Sequence, residues 1–197
     1  MNRLCRRSAA CLALLLSAQP LIAQTTDALL TPEQITTLEG AEADLRARLA
    51  PHADGQDTAA VADFLAVIDG DRLPMPDRLS LANTPCSVRS LQVTADIALG
   101  YPFFPCSFRQ EGPTGLVFQK DAGSQRRLGL VLPGASGTNF AFRGGRYFTG
   151  EAPRGYTGDP EAGTDSLGLM YRGGPDRYYI IFAPIDGRGE VYEILMQ

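Results

Sequence analysis

From about Cys86 to the C-terminus, apolar and polar residues alternate with a period of two, in short runs broken by glycine and proline. This pattern restricts the fold more than any other feature of the chain, because strict alternation is the signature of half-buried strands. The runs cover Cys86 to Thr94, Phe104 to Gln110, Gly115 to Lys120, Arg126 to Leu132, Asn139 to Arg143, Ser166 to Arg172, Arg177 to Ala183 and Glu190 to Leu195. Between them, Asp121-Ala122-Gly123-Ser124, Arg143-Gly144-Gly145-Arg146, Gly173-Gly174-Pro175-Asp176 and Asp186-Gly187-Arg188-Gly189 read as hairpin turns, being rich in residues that tolerate positive φ. About eight strands without an intervening helical signal predict a mainly β fold, a small antiparallel β-barrel or curled meander. The stretch from Gly150 to Asp165 is long for a hairpin loop and lacks apolar periodicity, so it is expected to be either mobile or functional.

Ahead of this region the period is helical. Thr31-Pro32-Glu33-Gln34 combines an N-cap, a proline at the first helical position and a glutamine able to close a capping box. Ile35, Leu38, Leu45 and Leu49 continue at helical spacing until Pro51, and a second helix is expected over Thr58 to Ile68 with Gly70 just beyond its end. The Pro- and Asp-rich stretch from Leu73 to Pro85 joins the two halves. The organisation is therefore a leader over residues 1–23, a helical segment with linker over 24–85 and a β domain over 86–197.

The leader reads as a secretory signal peptide: Arg3, Arg6 and Arg7 precede an apolar stretch from Ala9 to Leu16 that is too short to span a bilayer. Small residues at Ala18 and Ala23 place cleavage near Gln24, and a periplasmic or secreted location follows. No apolar run reaches the length of a spanning helix. The whole chain carries 18 basic and 22 acidic residues, net −4, and loss of the leader arginines makes it −7. Nucleic acid and anionic lipid are therefore not expected partners, since their affinity comes from counterions displaced by Lys and Arg. Two cysteines remain after cleavage, Cys86 and Cys106, and in an oxidising compartment they are expected to form a disulfide closing a loop of about 20 residues, worth about 3 kcal/mol.

Several residues together resemble the exported proteobacterial proteins grouped as domain of unknown function 4893. Tyr101-Pro102-Phe103-Phe104-Pro105-Cys106 is similar to that family's aromatic run into its second cysteine, and Lys120 with Gly123-Ser124-Gln125-Arg126 and Gly129 to its most recognisable motif. Tyr156, Gly158 and Asp159 resemble a Tyr-Gly-x-Asp element, Arg172, Gly174 and Pro175 an Arg-x-Gly-Pro turn, and Val191 with Glu193 the closing strand. The resemblance covers about residues 86 to 195. It departs where the family's tryptophan in the penultimate strand gives way to Tyr178 or Tyr179, and where an acidic-basic-acidic run is stretched into Pro160-Glu161-Ala162-Gly163-Thr164-Asp165. It implies export and a compact domain, and it supplies no activity, cofactor or catalytic residue.

The ligand-binding candidates are Lys120, Ser124, Gln125, Arg126, Tyr156 and Asp159. A hydroxyl, an amide and the guanidinium groups of Arg126 and Arg127 at one hairpin end suit a carboxylate or sugar, with Lys120 joining from the preceding strand. The competing reading gives Ser124 and Gln125 to the turn backbone and Arg126 to an internal ion pair. Asp159, Glu161 and Asp165 offer oxygen ligands to a hard cation but miss the EF-hand spacing, so no metal and no cofactor is expected. The single histidine, His52, falls in a polar stretch and reads as an exposed loop residue; Gly134-Ala135-Ser136-Gly137 lacks nucleophile-elbow spacing and reads as a turn. No catalytic residue is assigned. Tyr101, Phe103, Phe104, Phe140, Phe142, Tyr147, Phe148, Tyr178, Tyr179 and Phe182 read as core and cross-strand packing, some of them at a barrel mouth. The expectation is a non-catalytic binding or interaction module for an envelope protein or small molecule, with inhibition of an envelope protease as one version by fold analogy alone. The alternative is a histidine-independent hydrolase of cell-envelope carbohydrate with Asp159 as one of two carboxylates.

Overall fold

The computed structural model describes residues 30–53, 57–134 and 137–197. The leader, its cleavage site and Ala135-Ser136 lie outside the described residues.

Thr31 caps helix α1 (Pro32–Leu49), with a capping box in which its hydroxyl accepts from the Gln34 amide at 3.2 Å while its own amide donates to Gln34 Oε1 at 2.9 Å. Helix α2 (Thr58–Ile68) follows, and both occupy the spans their periodicity predicts. Leu38, Ala41, Leu45 and Leu49 of α1 and Val61, Phe64, Val67 and Ile68 of α2 are buried. His52, between the helices, is buried rather than exposed. Its Nε2 lies 3.0 Å from the Thr94 carbonyl oxygen and its Nδ1 3.4 Å from Asp57 Oδ2, and Asp57 in turn accepts from the Ala98 amide at 3.0 Å. The histidine thus pins the helix junction to the sheet; the short polar stretch hides a packing residue because its neighbours turn it inward.

Among the described residues nine strands follow: β1 (Pro85–Val93), β2 (Ala98–Gly100), β3 (Phe104–Glu111), β4 (Gly115–Lys120), β5 (Gln125–Pro133), β6 (Phe140–Phe148), β7 (Asp165–Arg172), β8 (Arg177–Phe182) and β9 (Gly189–Met196). All pairings are antiparallel. β1 pairs with β9 along Cys86–Val93, which closes an eight-strand barrel of β1 and β3 to β9. β2 is the extra strand. It shares one edge of β1 with β3: Leu91 pairs with Gly100 and Val88 with Phe104, so two residues of β1 face the three residues 101–103 and the edge bulges. Pro102, with no amide to donate, sits in that bulge, which is why the alternation there gave no strand signal.

Alternation fixes the two faces. Inward go Cys86, Val88, Phe108, Leu116, Phe118, Val131, Phe140, Phe142, Met170, Tyr178, Ile180, Phe182, Tyr192 and Ile194, forming one buried cluster that fills the barrel. Phe118 lies 5.1 Å from Phe108, and Phe182 lies 4.9 Å from Tyr192, centroid to centroid. Outward, Leu91, Val93, Tyr171, Tyr179, Ile181 and Val191 are covered by α1 and α2. A 3₁₀ turn at Arg78–Leu81 closes one end: Leu81 joins the interior cluster and Arg78 donates to the carbonyls of Val131 (2.7 Å) and Thr114 (2.6 Å). At that end β1 and β3 carry the Cys86–Cys106 disulfide between directly paired positions.

One expected turn is overturned. Arg143-Gly144-Gly145-Arg146 lies in the middle of β6, which runs on to Phe148. Gly144 is paired with Gly129, and a Cβ on either would stand 2.6 Å from the Phe142 ring that fills the space between them. Gly145 faces outward, and a Cβ there would lie 2.4 Å from the Gly155 carbonyl oxygen. These glycines serve close approach, of a ring inside and of a loop outside, not a change of chain direction.

Candidate functional site

The interior end opposite the 3₁₀ turn is polar. Glu190 accepts from Arg127 Nη2 (2.6 Å), Ser90 Oγ (2.6 Å) and Gln92 Nε2 (3.0 Å), and Arg127 Nε donates to Ser166 Oγ at 2.8 Å. The Arg127 guanidinium also stacks 3.9 Å from the Phe182 ring centroid. Burial pushes Glu190 up, but the Arg127 charge and the hydrogen bonds from Arg127, Ser90 and Gln92 more than offset it and hold the carboxyl down at about 2. Burial likewise drives Arg127 down, and Glu190 more than restores it. Glu190 accepts three hydrogen bonds within the fold and Arg127 donates a further one, so the pair ties β1, β5, β7 and β9 together. Tyr192, pushed up by burial, lies beside it with a hydroxyl that finds no well-aligned partner among the described residues.

The hairpin motif after β4 is taken apart by this geometry. Lys120 turns into the barrel and is buried, its ammonium over the rings of Phe104 (5.0 Å) and Tyr192 (5.5 Å). Burial lowers its pKa, with Arg127 and Arg126 adding to the effect and Glu190 opposing it. Gln125 accepts from Gln92 Nε2 at 3.0 Å and so extends the internal network. Arg126 donates to the Gly123 carbonyl at 3.0 Å, a turn contact in place of the expected ion pair, and Ser124 contributes its carbonyl to the Thr149 amide at 3.0 Å. Period-2 alternation explains the split: Arg126 and Arg127 are neighbours in sequence and therefore face opposite sides of the wall.

Tyr156 and Asp159 belong to the long connection between β6 and β7, which its own acids shape. Asp165 accepts from the Thr157 amide (2.7 Å), the Thr157 hydroxyl (2.9 Å) and the Gly158 amide (2.7 Å); Asp159 accepts from the Glu161 amide at 3.0 Å. Gly155 rests on Gly145, and the loop lies flat on the barrel wall. Its Tyr156 hydroxyl accepts from Gln34 Nε2 of α1 at 2.5 Å, and its ring lies 5.4 Å from the Arg143 guanidinium. Among the described residues no group of three His, Cys, Asp or Glu side chains is placed to hold a metal ion.

Tyr156 forms one side of a groove of 310 Å³ on the outer wall. Val117, Leu128 and Leu130 make its floor, Arg109 and Glu111 its far rim, and Arg143 and Gly155 flank Tyr156. Arg109 is steadied by Gln119 Oε1 at 3.1 Å. The groove combines hydrocarbon, two guanidinium groups and a phenol with one carboxylate, Glu111, on its rim, and its excess of guanidinium suits a ligand with an apolar body and an acidic group. A second cleft, of 330 Å³, lies between α2 and the wall. Its charges engage one another: Arg89 binds Glu193 (2.6 Å) and Asp63 (2.8 Å), and Arg177 binds Glu193 (3.2 Å).

The six sequence candidates therefore do not form one site. Tyr156 reaches the groove, Gln125 and Arg126 stay at the barrel mouth, Lys120 goes inside, and Ser124 and Asp159 serve turns. The groove's Arg109, Leu128, Leu130 and Arg143 escape sequence reasoning. One signal for them exists: Leu128-Gly129-Leu130-Val131-Leu132 is apolar on both faces, so its outward leucines need cover from something beyond the barrel. No protein-family model, no curated protein and no solved structure matches the chain.

Proposed function

We propose that the protein is an exported, non-catalytic binding module that takes its ligand on the outer wall of the barrel, in the groove beneath Tyr156. The observation that carries this reading is the groove itself: 310 Å³ with an aliphatic floor and cationic sides, on a barrel whose interior is filled by aromatic and aliphatic side chains. The ligand class is an amphiphile with an acidic end, its apolar part on Leu128 and Leu130 and its acid toward Arg109 and Arg143. Export rests on the leader with Arg3, Arg6 and Arg7, and intact mass of the protein recovered from the cell envelope should give a chain starting near Gln24.

The test is a fluorescence titration with the anionic dye anilinonaphthalene sulfonate, read without indole background because the chain has no tryptophan. Saturable binding is expected, weakened about ten-fold by Tyr156→Ala or Arg109→Ala and unchanged by Arg126→Ala at the mouth. Equal affinity in all of these proteins, with melting temperatures preserved, would remove the groove from the account.

A further inference from the structure

The barrel mouth gathers positive charge in an acidic protein. Lys120, Arg126, Arg127, Arg146 and Arg188 converge there, while the nearby acids are Glu190, already held by Arg127, Asp186, 3.1 Å from Arg146, Glu151, which accepts from the Phe148 amide at 2.9 Å, and Asp121, which accepts from Ser107 at 3.2 Å. The most unusual member is Lys120, the only lysine of the chain. It is 4% exposed, and among the described residues its ammonium makes no hydrogen bond or ion pair; it faces only the rings of Phe104 and Tyr192 and the underside of the Gly123 turn. Burial disfavours its charged form and the nearest opposing charge, Glu190, is already bonded to Arg127, so an anion bound at the mouth would favour the ammonium. Arg127 stands over the same Tyr192 ring at 4.9 Å. Next to that ring is a space of 20 Å³ bounded by Gln125, Arg127, Arg146 and Arg188. It is about the size of one water-sized group, enough for the head of a carboxylate and tight for a phosphate.

We infer that the mouth of the barrel is a second binding site, for a single carboxylate, seated over Tyr192 between Arg127, Arg146 and Arg188, with Lys120 adding positive charge across the ring. The site is separate from the wall groove and stands whether or not the groove binds an amphiphile. Arg146 and Arg188 are the movable arms: among the described residues the Arg188 side chain bonds to Gln125 alone, at 3.4 Å, and Arg146 reaches Asp186 and the Gly163 carbonyl on the surface. Phe148, 57% exposed, stands at the rim, where the apolar part of a carboxylate-bearing ligand would pass.

A single lysine makes the test direct. Selective isotope labelling of lysine gives one side-chain resonance, that of Lys120, without assignment. Acetate is the probe, with chloride at matched ionic strength as control. The expected result is a saturable shift of the Lys120 signal with acetate, a titration midpoint that moves up because the anion favours the ammonium form, and loss of both effects in Arg188→Ala and in Arg146→Ala. A signal that does not respond to acetate, or that drifts without saturation as it does in chloride, overturns the site. So does an acetate response that persists unchanged in both arginine variants. Arg109→Ala, which alters the wall groove alone, should leave the Lys120 response to acetate unchanged, so failure of one site is not mistaken for failure of the other.

Discussion

The two ends of the barrel interior solve the burial problem in opposite ways. At the end closed by the Arg78–Leu81 turn, the contents are hydrocarbon and a cross-link: Leu81, Phe108, Met170 and Ile194 pack around Cys86–Cys106. At the other end the contents are Ser90, Gln92, Lys120, Arg127, Ser166 and Glu190, all buried. Apolar packing is non-directional, so the first end tolerates any well-filled arrangement. Buried charge is directional, so the second end favours arrangements in which Arg127 and Glu190 keep each other and their hydrogen-bond partners, and Lys120 stands beside that pair over aromatic rings.

The largest expected effect comes from breaking the paired ions. Glu190→Gln should destabilise the fold by about 3–5 kcal/mol, because Arg127 then stays buried without its counter-charge, and denaturant unfolding measures it. The same pair predicts the acid response. With its pKa held at about 2 against an ordinary 4.5, Glu190 contributes stability that is fully present above the ordinary value and is lost as the pH falls from there toward 2. A melting temperature flat across that window would contradict the pairing. At the apolar end, reduction or a Cys86→Ala/Cys106→Ala double variant should cost about 3 kcal/mol through the reopened loop, with no change in the acid response. Gly145→Ala is expected to cost about 1–3 kcal/mol by overpacking, and it should weaken dye binding as well because the new Cβ pushes Gly155 and Tyr156 off the wall. Lys120→Met should differ in sign from the Glu190 variant. It removes an unpaired charge and is expected to leave stability unchanged or to raise it by up to about 1 kcal/mol near neutral pH. For the wild type, stability attributable to Lys120 rises with pH as the folded-state ammonium deprotonates ahead of the unfolded one.

The helices were fully legible in the sequence, because the Thr31 capping box and the Gly70 stop are local signals read within a few residues. Eight of the strands were legible from alternation, since a closed barrel packs its inner face and hence keeps the period strict. β2 was not, because the bulge at residues 101–103 interrupts the alternation that would have revealed it. The course of β6 was not, because Gly144 and Gly145 carry turn-like composition for reasons that lie across the sheet and across a loop. The candidate site was legible only at Tyr156. Strand order brings Arg109 and Leu128 under the long connection, and that adjacency between distant segments has no local signature. The motif around Lys120 is divided by alternation, which turns Lys120 into the barrel and Arg126 to the Gly123 turn, a split that its local composition does not show.

The central claim is that an amphiphile docks in the groove on the barrel wall and not among the apolar side chains of the interior, and methyl NMR with anilinonaphthalene sulfonate tests it most directly. The account predicts shifts at the methyls of Val117, Leu128 and Leu130 on addition of dye, with Val131, Ile180 and Ile194 unmoved. Shifts at the interior methyls with the groove silent would contradict it.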